Sequence, residues 1–307
     1  MNLSIRLLRA VISLWLIVTL VFVCLRLTGD PVLAVVNPDD MSSEMLESYR
    51  RQWGYSGSIF DQYATYFLRV VQGDLGTSQI SGKPAVTVVL ERLPATLQLV
   101  AIATVLMVGI GVPLGTLAAM NPGGRLDTVI MTGSTVGFAL PNFVLGIGLI
   151  LVFSVMFRLL PSGGTGSAQH LILPALTVGL AKASIFTRFV RSAVLDAIKL
   201  PCVTSATARG LPPGQVFFRH ILPNCMIPLV TMLPLLVGAM ISAGAVVETV
   251  FAWPGIGRLV IDSVSQRDLA VLQATIMLIA FIMITTNLLV DVAYAWLDPR
   301  STVRSAT

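Results

Sequence analysis

The sequence predicts an all-α membrane protein: six transmembrane helices, a structured cytoplasmic loop, and a small extracytoplasmic subdomain after the first helix. Three observations predict it. Of the 307 residues, 55% are hydrophobic and only 11% charged, with mean hydropathy +0.86, whereas a soluble domain carries about 25% charged residues. Apolar runs of bilayer length, about 20 residues at ~1.5 Å rise each, recur along the chain. Finally, arginine and lysine are concentrated in alternate loops.

The six runs cover about 10–27, 95–120, 131–160, 171–190, 226–250 and 269–295. The first follows Arg6 and Arg9, as in a signal peptide, but no small-x-small cleavage site follows it and Arg26 ends it, so it reads as a retained helix. Val23, just before Cys24, is too bulky for a lipoprotein site. The third run contains Pro141, so its first part is expected to be kinked or a separate piece. The fourth is the weakest, because Lys182 and Arg188 interrupt it. The expected division is 1–30 for the first helix, 31–94 for the subdomain and 95–300 for a five-helix core with its loop at 200–223. Residues 301–307 form a tail.

Charge orients these spans. The N-terminus, the 121–130 and 191–225 loops and the tail carry Arg6, Arg9, Arg125, Arg191, Lys199, Arg209, Arg219, Arg300 and Arg304. Against them stand Asp127, Asp196 and Asp298. Segment 28–94 is acidic, with Asp30, Asp39, Asp40, Glu44, Glu47, Asp61, Asp74 and Glu91. The positive-inside bias puts both termini and the 191–225 loop in the cytoplasm, and 28–94 outside. Within 28–94, "SSEMLESYRRQWG" from Ser42 reads as a short capped helix ending at Gly54. The formal charge of +5 is loop placement of this kind rather than nucleic-acid binding.

Chemistry-bearing patterns are sparse. Cys24, Cys202 and Cys225 are scattered, which supports neither a disulfide framework nor a zinc site. His170 and His220 stand at loop edges, where surface contacts are expected rather than metal ligation. The chain has no GxxxxGK[ST] loop, so it is not expected to cradle ATP, and no GxSxG or HExxH catalytic motif. Gly111 and Gly115 make a GxxxG, for which close helix packing and chance weigh about equally.

The odd segment is "SATARGLPPGQVFFRHILPN", residues 205–224, polar and basic among apolar runs. Thr204 or Ser205 can cap a short helix. Gly210 suits a left-handed C′ position, Leu211 the hydrophobic C″ contact, and Pro212 the stop. Pro213 suits the first turn of a second helix running toward Pro223. Ala206 and Ala208 offer too little apolar area for a lipid-surface helix. A small rigid knob fits a protein groove better.

Gly210, nine further residues, position 220 and then Leu222 and Pro223 have the spacing of the "EAA" loop of ATP-binding-cassette importer permeases. With these, "TGDP" (28–31), "GDLGTS" (73–78), "RLPATLQL" (92–99), "LPNFVLGI" (140–147) and "HLILPAL" (170–176) follow in order. So do "TRFVRSAVLD" (187–196), "ETVFAWPGIGRLV" (248–260) and "LVDVAYAWLDPR" (289–300). Together they resemble the dipeptide/oligopeptide/nickel permease family, first-subunit type. The loop departs from the family pattern. Cys202, Thr204, Ser205, Thr207 and Arg209 stand where Tyr, Arg, Thr, Arg and Lys are usual, and "RDLAVLQ" replaces Arg-Asp-Tyr-Pro.

The resemblance implies a permease subunit that is not itself an enzyme, in a bacterial inner membrane. It would pair with a second homologous permease, two cytoplasmic ATPases that bind ATP and Mg, and an extracytoplasmic solute-binding protein. Thr204, Ser205, Ala206, Arg209, Gly210, Leu211, Leu222 and Pro223 would form the ATPase-coupling element. Lys182 would line a polar path or snorkel. Glu248 would shape an external gate or cap the turn before Trp253. Asp291 would pair with a basic loop residue. Cargo stays open between short peptides and nickel or metal chelates, the short "PSGGTGSAQH" connection leaning toward the nickel-type branch. A secondary transporter is the rival reading, but inverted repeats and paired charges are not evident. A membrane enzyme is the third, disfavoured by the lack of a catalytic set.

Overall fold

The computed structural model describes residues 3–27, 44–45, 47–48 and 57–297. The helix expected from Ser42 falls mostly outside them, as do "TGDP", the tail and the side chain of Asp291. Helices α1 (Leu3–Leu27), α2 (Ile59–Val71) and α3 (Ala85–Met120) come first. Next come α4 (Arg125–Ala139) and α5 (Asn142–Leu149), the latter continuing as a π-helix over Ile150–Met156. Then follow α6 (Gln169–Ile198), α7 (Pro201–Ala208), α8 (Pro213–Val216) and a π turn, Phe217–Ile221. The last are α9 (Leu222–Val250), α10 (Ile256–Ser265) and α11 (Leu269–Leu297).

Among the described residues, 4 helical stretches are long and apolar enough to cross a membrane: Ala85–Met120, Gln169–Ile198, Pro213–Val250 and Leu269–Thr286. The pair α4 and α5, bent by 102°, makes a fifth if it counts as one span, and Leu8–Cys24 in α1 is a shorter apolar helix. The break is where Pro141 puts it. Leu140 is extended at φ −76°, ψ 125°, because the proline ring disfavours helical geometry in the residue before it. Several runs differ from the sequence reading, the second and fourth among them. Helix α3 begins at Ala85, ten residues before the second apolar run, and passes through Pro94. Helix α6 runs unbroken through Lys182 and Arg188, since both residue types are good helix formers and neither is forced into the core (Lys182 is half-buried, Arg188 exposed).

The chain forms two compact units. One consists of Met1–Pro94 with Gly255–Leu288. In it, Ser58 and Asp61 make a capping box at the start of α2, each satisfying an otherwise orphaned backbone donor of the other. Tyr63 of α2 bonds Thr19 of α1 at 2.8 Å and lies edge-on to Phe22, centroids 5.2 Å apart. Ala85, Val89, Leu259, Val271 and Ala274 form a small core. Buried Ser78 donates to Asp268 at 2.5 Å, and the other oxygen of Asp268 accepts from Val271 N at the start of α11.

The second unit consists of Ala95–Pro254 with Leu289–Thr307, and α6 is its spine. Thr177, Ser184 and Arg191 recur every seven residues, so they share one face of α6. Opposite them stand Gly146 of α5, Gly137 of α4 and Asp127 of α4. Another face receives α3. A Cβ on Gly111 would come 2.8 Å from Phe186 Cδ1, and one on Gly115 2.6 Å from the Thr187 carbonyl oxygen and 2.6 Å from Val190 Cβ. The GxxxG is therefore a true close approach. Glycine is required there because nothing larger fits between the helices.

Candidate functional site

The segment between α6 and α9 forms a knob of a short helix, a tight break, a second short helix and a π turn. Helix α7 starts at Pro201, one residue after its N-cap Leu200, whose side chain makes no cap bond. This corrects the expected start. Thr204 and Ser205 lie inside the helix, because Pro201 at N1 already has the helical φ and has no N–H to satisfy. The Thr204 hydroxyl turns back to the Leu200 carbonyl at 3.4 Å. Val203 and Ala206, three residues apart, bury one face, while Pro201, Cys202, Thr204, Ser205, Thr207 and Ala208 are exposed.

The end of α7 is as the sequence predicts. Arg209 is the C-cap and Gly210 lies at φ +77°. Gly210 N–H donates to the Thr207 carbonyl at 2.9 Å, and Leu211 N–H to the Ala206 carbonyl at 3.4 Å. These two bonds close a Schellman motif. A Cβ on Gly210 would meet nothing within 4 Å, so backbone conformation, not space, demands glycine here.

Pro213 starts α8 as expected, with Val216 buried. The sequence did not signal the π turn that follows. Its reason is Pro223, which cannot donate to the Arg219 carbonyl and whose ring crowds it; a wider turn relieves the clash. Asn224 Nδ2 takes the neighbouring His220 carbonyl at 2.6 Å. Ile221 is buried, Leu222 half-buried, Pro223 exposed. Cys225 Sγ donates to the Ala193 carbonyl at 3.4 Å, tying the start of α9 back to α6. The segment is thus tied at its ends to two long helices, α6 and α9.

Lys182 and Glu248 are separate from the knob. Lys182 is half-buried at mid-α6 and makes no hydrogen bond or ion pair with a described residue. It shares its helix face with Ala193, eleven residues on. Glu248, fully buried near the other end of α9, accepts from Thr96 Oγ1 at 2.7 Å. Its carbonyl closes the next turn by accepting from Trp253 N–H at 2.7 Å, and Trp253 Nε1 bonds the Ala95 carbonyl at 3.0 Å. These contacts are those of a brace.

Sequence reasoning missed one pair. Arg191 Nε and Nη2 donate to the two Asp127 carboxylate oxygens at 2.6 and 2.7 Å. Gly123 N–H adds a third bond to Asp127 at 2.8 Å. In the sequence both residues looked like loop charges, and two residues 64 positions apart leave no local signal.

A family profile described as "Binding-protein-dependent transport system inner membrane component" matches residues 111–303. The "Glutathione transport system permease protein GsiC" of Escherichia coli O6:H1 (strain CFT073) is 39% identical over 295 residues, 96% of each chain. Its counterparts in Escherichia coli K12 and Salmonella choleraesuis are each 38% identical over the same share. Among solved structures, the fold is similar to one titled as inward-facing conformations of the MetNI methionine ABC transporter. The TM-score is 0.59 at 17% identity, covering 69% of this chain and 96% of that one. A second, titled as an amino acid ABC transporter with histidines, gives 0.54 at 16%, covering 68% and 94%.

Proposed function

The chain belongs to the binding-protein-dependent transport system inner membrane components, and on that premise we propose that it imports glutathione or peptides of similar size. It is a permease subunit of an ATP-binding-cassette importer of the peptide type, which sets the secondary-transporter reading aside. The observation that carries the cargo is the end-to-end similarity to glutathione permeases, 96% of each chain. None of the relatives named above is a nickel permease, so the lean of the short connection toward nickel has no support from them.

In this reading the working unit holds a second homologous permease, two cytoplasmic ATPases that take the ATP and Mg, and an extracytoplasmic binding protein. Six spans cross the inner membrane, α1 serving as the first and the bent pair as the third. The exposed Thr204, Ser205 and Arg209 meet an ATPase groove. Ala206, Leu211 and Leu222 anchor the knob from within, Gly210 sets its end, and Pro223 sets the turn into α9. ATP-driven closure of the ATPases moves the knob and, with it, α6 and α9, a rigid-body switch between two access states. Lys182, with no partner among the described residues, is the candidate for the polar path; Glu248 braces the opposite end.

Co-expression of the chain with its partner subunits is expected to give uptake of labelled glutathione that vanishes when the ATPases are omitted or their ATP site is inactivated. Uptake that persists without them would overturn the importer reading. Topology has its own test. Ala64 of α2 is exposed. In a Cys24→Ala background, an impermeant maleimide should label Ala64→Cys in intact spheroplasts and native Cys202 only after permeabilisation. The reverse order would sink the assigned orientation.

A further inference from the structure

The contacts between α4 and α6 are of two kinds. Along the shared face, Ser184 Oγ sits against Gly137, and beyond the break Gly146 of α5 packs against Phe251 and Thr177. These van der Waals contacts carry no directional bond between the helices, and small sliding of packed helices is a known kind of motion. At the Ile198 end of α6 the contact is different. Asp127, 4% exposed, is gripped by both Arg191 donors and by the Gly123 N–H. A two-pronged guanidinium–carboxylate pair fixes direction as well as distance. Among the described residues it is the one polar tie between α4 and α6.

Its position matters. Arg191 lies seven residues before Ile198, where α6 ends and the chain turns into α7, a rise of ~10 Å. Asp127 stands in the first turn of α4, whose other end meets the 102° break at Leu140 and Pro141. The knob, the lower part of α6, the charged fork, α4 and the break are therefore in series.

We propose that the fork of Asp127 and Arg191 is a positioning pair for transport, latching α4 to α6 so that displacement of the coupling knob reaches the break at Pro141. Without the latch, α6 slips past α4 along its small-residue stripe, and ATP is hydrolysed without the full change of access. With it, α4 travels with α6 and the bent pair flexes at Pro141. The inference rests on the importer reading above.

The test uses the whole complex, reconstituted in liposomes with its ATPases and binding protein, with labelled glutathione as probe. Three quantities are read: subunit stoichiometry, ATP hydrolysis and glutathione imported per ATP. Wild-type complex that fails to assemble, hydrolyse ATP or import would overturn the importer reading before any variant is compared. Asp127→Asn keeps size, Arg191→Gln shortens the side chain, and each removes one charge. Each is expected to assemble and hydrolyse ATP, with import per ATP lowered roughly tenfold. The double variant should be no worse than the poorer single, since both remove the same interaction. Import per ATP within about twofold of wild type in both singles, or losses that simply multiply in the double, would overturn the proposal. So would loss of assembly in both singles, which would make the pair structural only.

Discussion

Gly210→Val is expected to abolish uptake while leaving the chain in the membrane with its long spanning helices intact. Gly210 sits at φ +77°, a conformation that costs an L-residue about 1–2 kcal/mol and a β-branched one more. There is nothing around it for a side chain to strike, so the damage is conformational and local. An eight-residue helix has little stability of its own, and α7 is held by two buried side chains and its two terminal hydrogen bonds. Valine at the C′ position breaks that ending, and α7 tilts or unwinds without touching a span. Gly210→Asn, which tolerates the left-handed region best after glycine, should keep most of the uptake, with Gly210→Ala between the two. Uptake, membrane abundance and co-purification of the ATPases are the measurements. Normal uptake by Gly210→Val at normal abundance would show that the knob does not couple the ATPases to transport.

Gly115→Leu should have a larger effect of another kind: the chain fails to accumulate. A β-carbon there comes 2.6 Å from a backbone carbonyl of α6, and a backbone atom cannot rotate away as a side chain can. The two helices must separate, and the resulting loss of packing should exceed the roughly 1–3 kcal/mol usual for an overfilled core. Gly109 is the internal control. It lies in the same helix with nothing within 4 Å of a built β-carbon, so Gly109→Leu should be tolerated. Fluorescence-detected size exclusion after graded heating compares the two. Equal melting of Gly115→Leu and Gly109→Leu would refute the close approach.

The sequence was most legible where a single residue has few options. Gly210 ends α7 where its lack of a side chain allows it, and Pro141 divides a long apolar run where Leu140, disfavoured from helical geometry before it, is extended. It was less legible where several residues can do the same job. Thr204, Ser205 and Pro201 can all open a helix, and the proline prevailed because it needs no side-chain bond. Between Gly111 and Gly115 the pattern alone could not separate packing from chance, since the deciding atoms, Thr187 O and Val190 Cβ, lie some seventy residues away. The same distance hid the fork of Asp127 and Arg191, and likewise the bond from Thr96 to Glu248, 152 positions on. Charge counting assigned Asp127 and Arg191 to one side of the membrane but had no means of pairing them.

The π turn at Phe217–Ile221 has a consequence for how this stretch can vary. Such a turn holds one more residue than an ordinary helical turn, and each residue of an α-helix advances the chain by about 100° around its axis. An extra residue taken up in this way leaves the helix on either side in nearly the same phase. The turn at Phe217–Ile221 could therefore lose one residue and close as an ordinary turn without re-aiming α7, provided Pro223 is replaced as well, since its ring would again crowd the carbonyl four residues back. The stretch thus holds a slack of one residue, and the proline is what keeps it open.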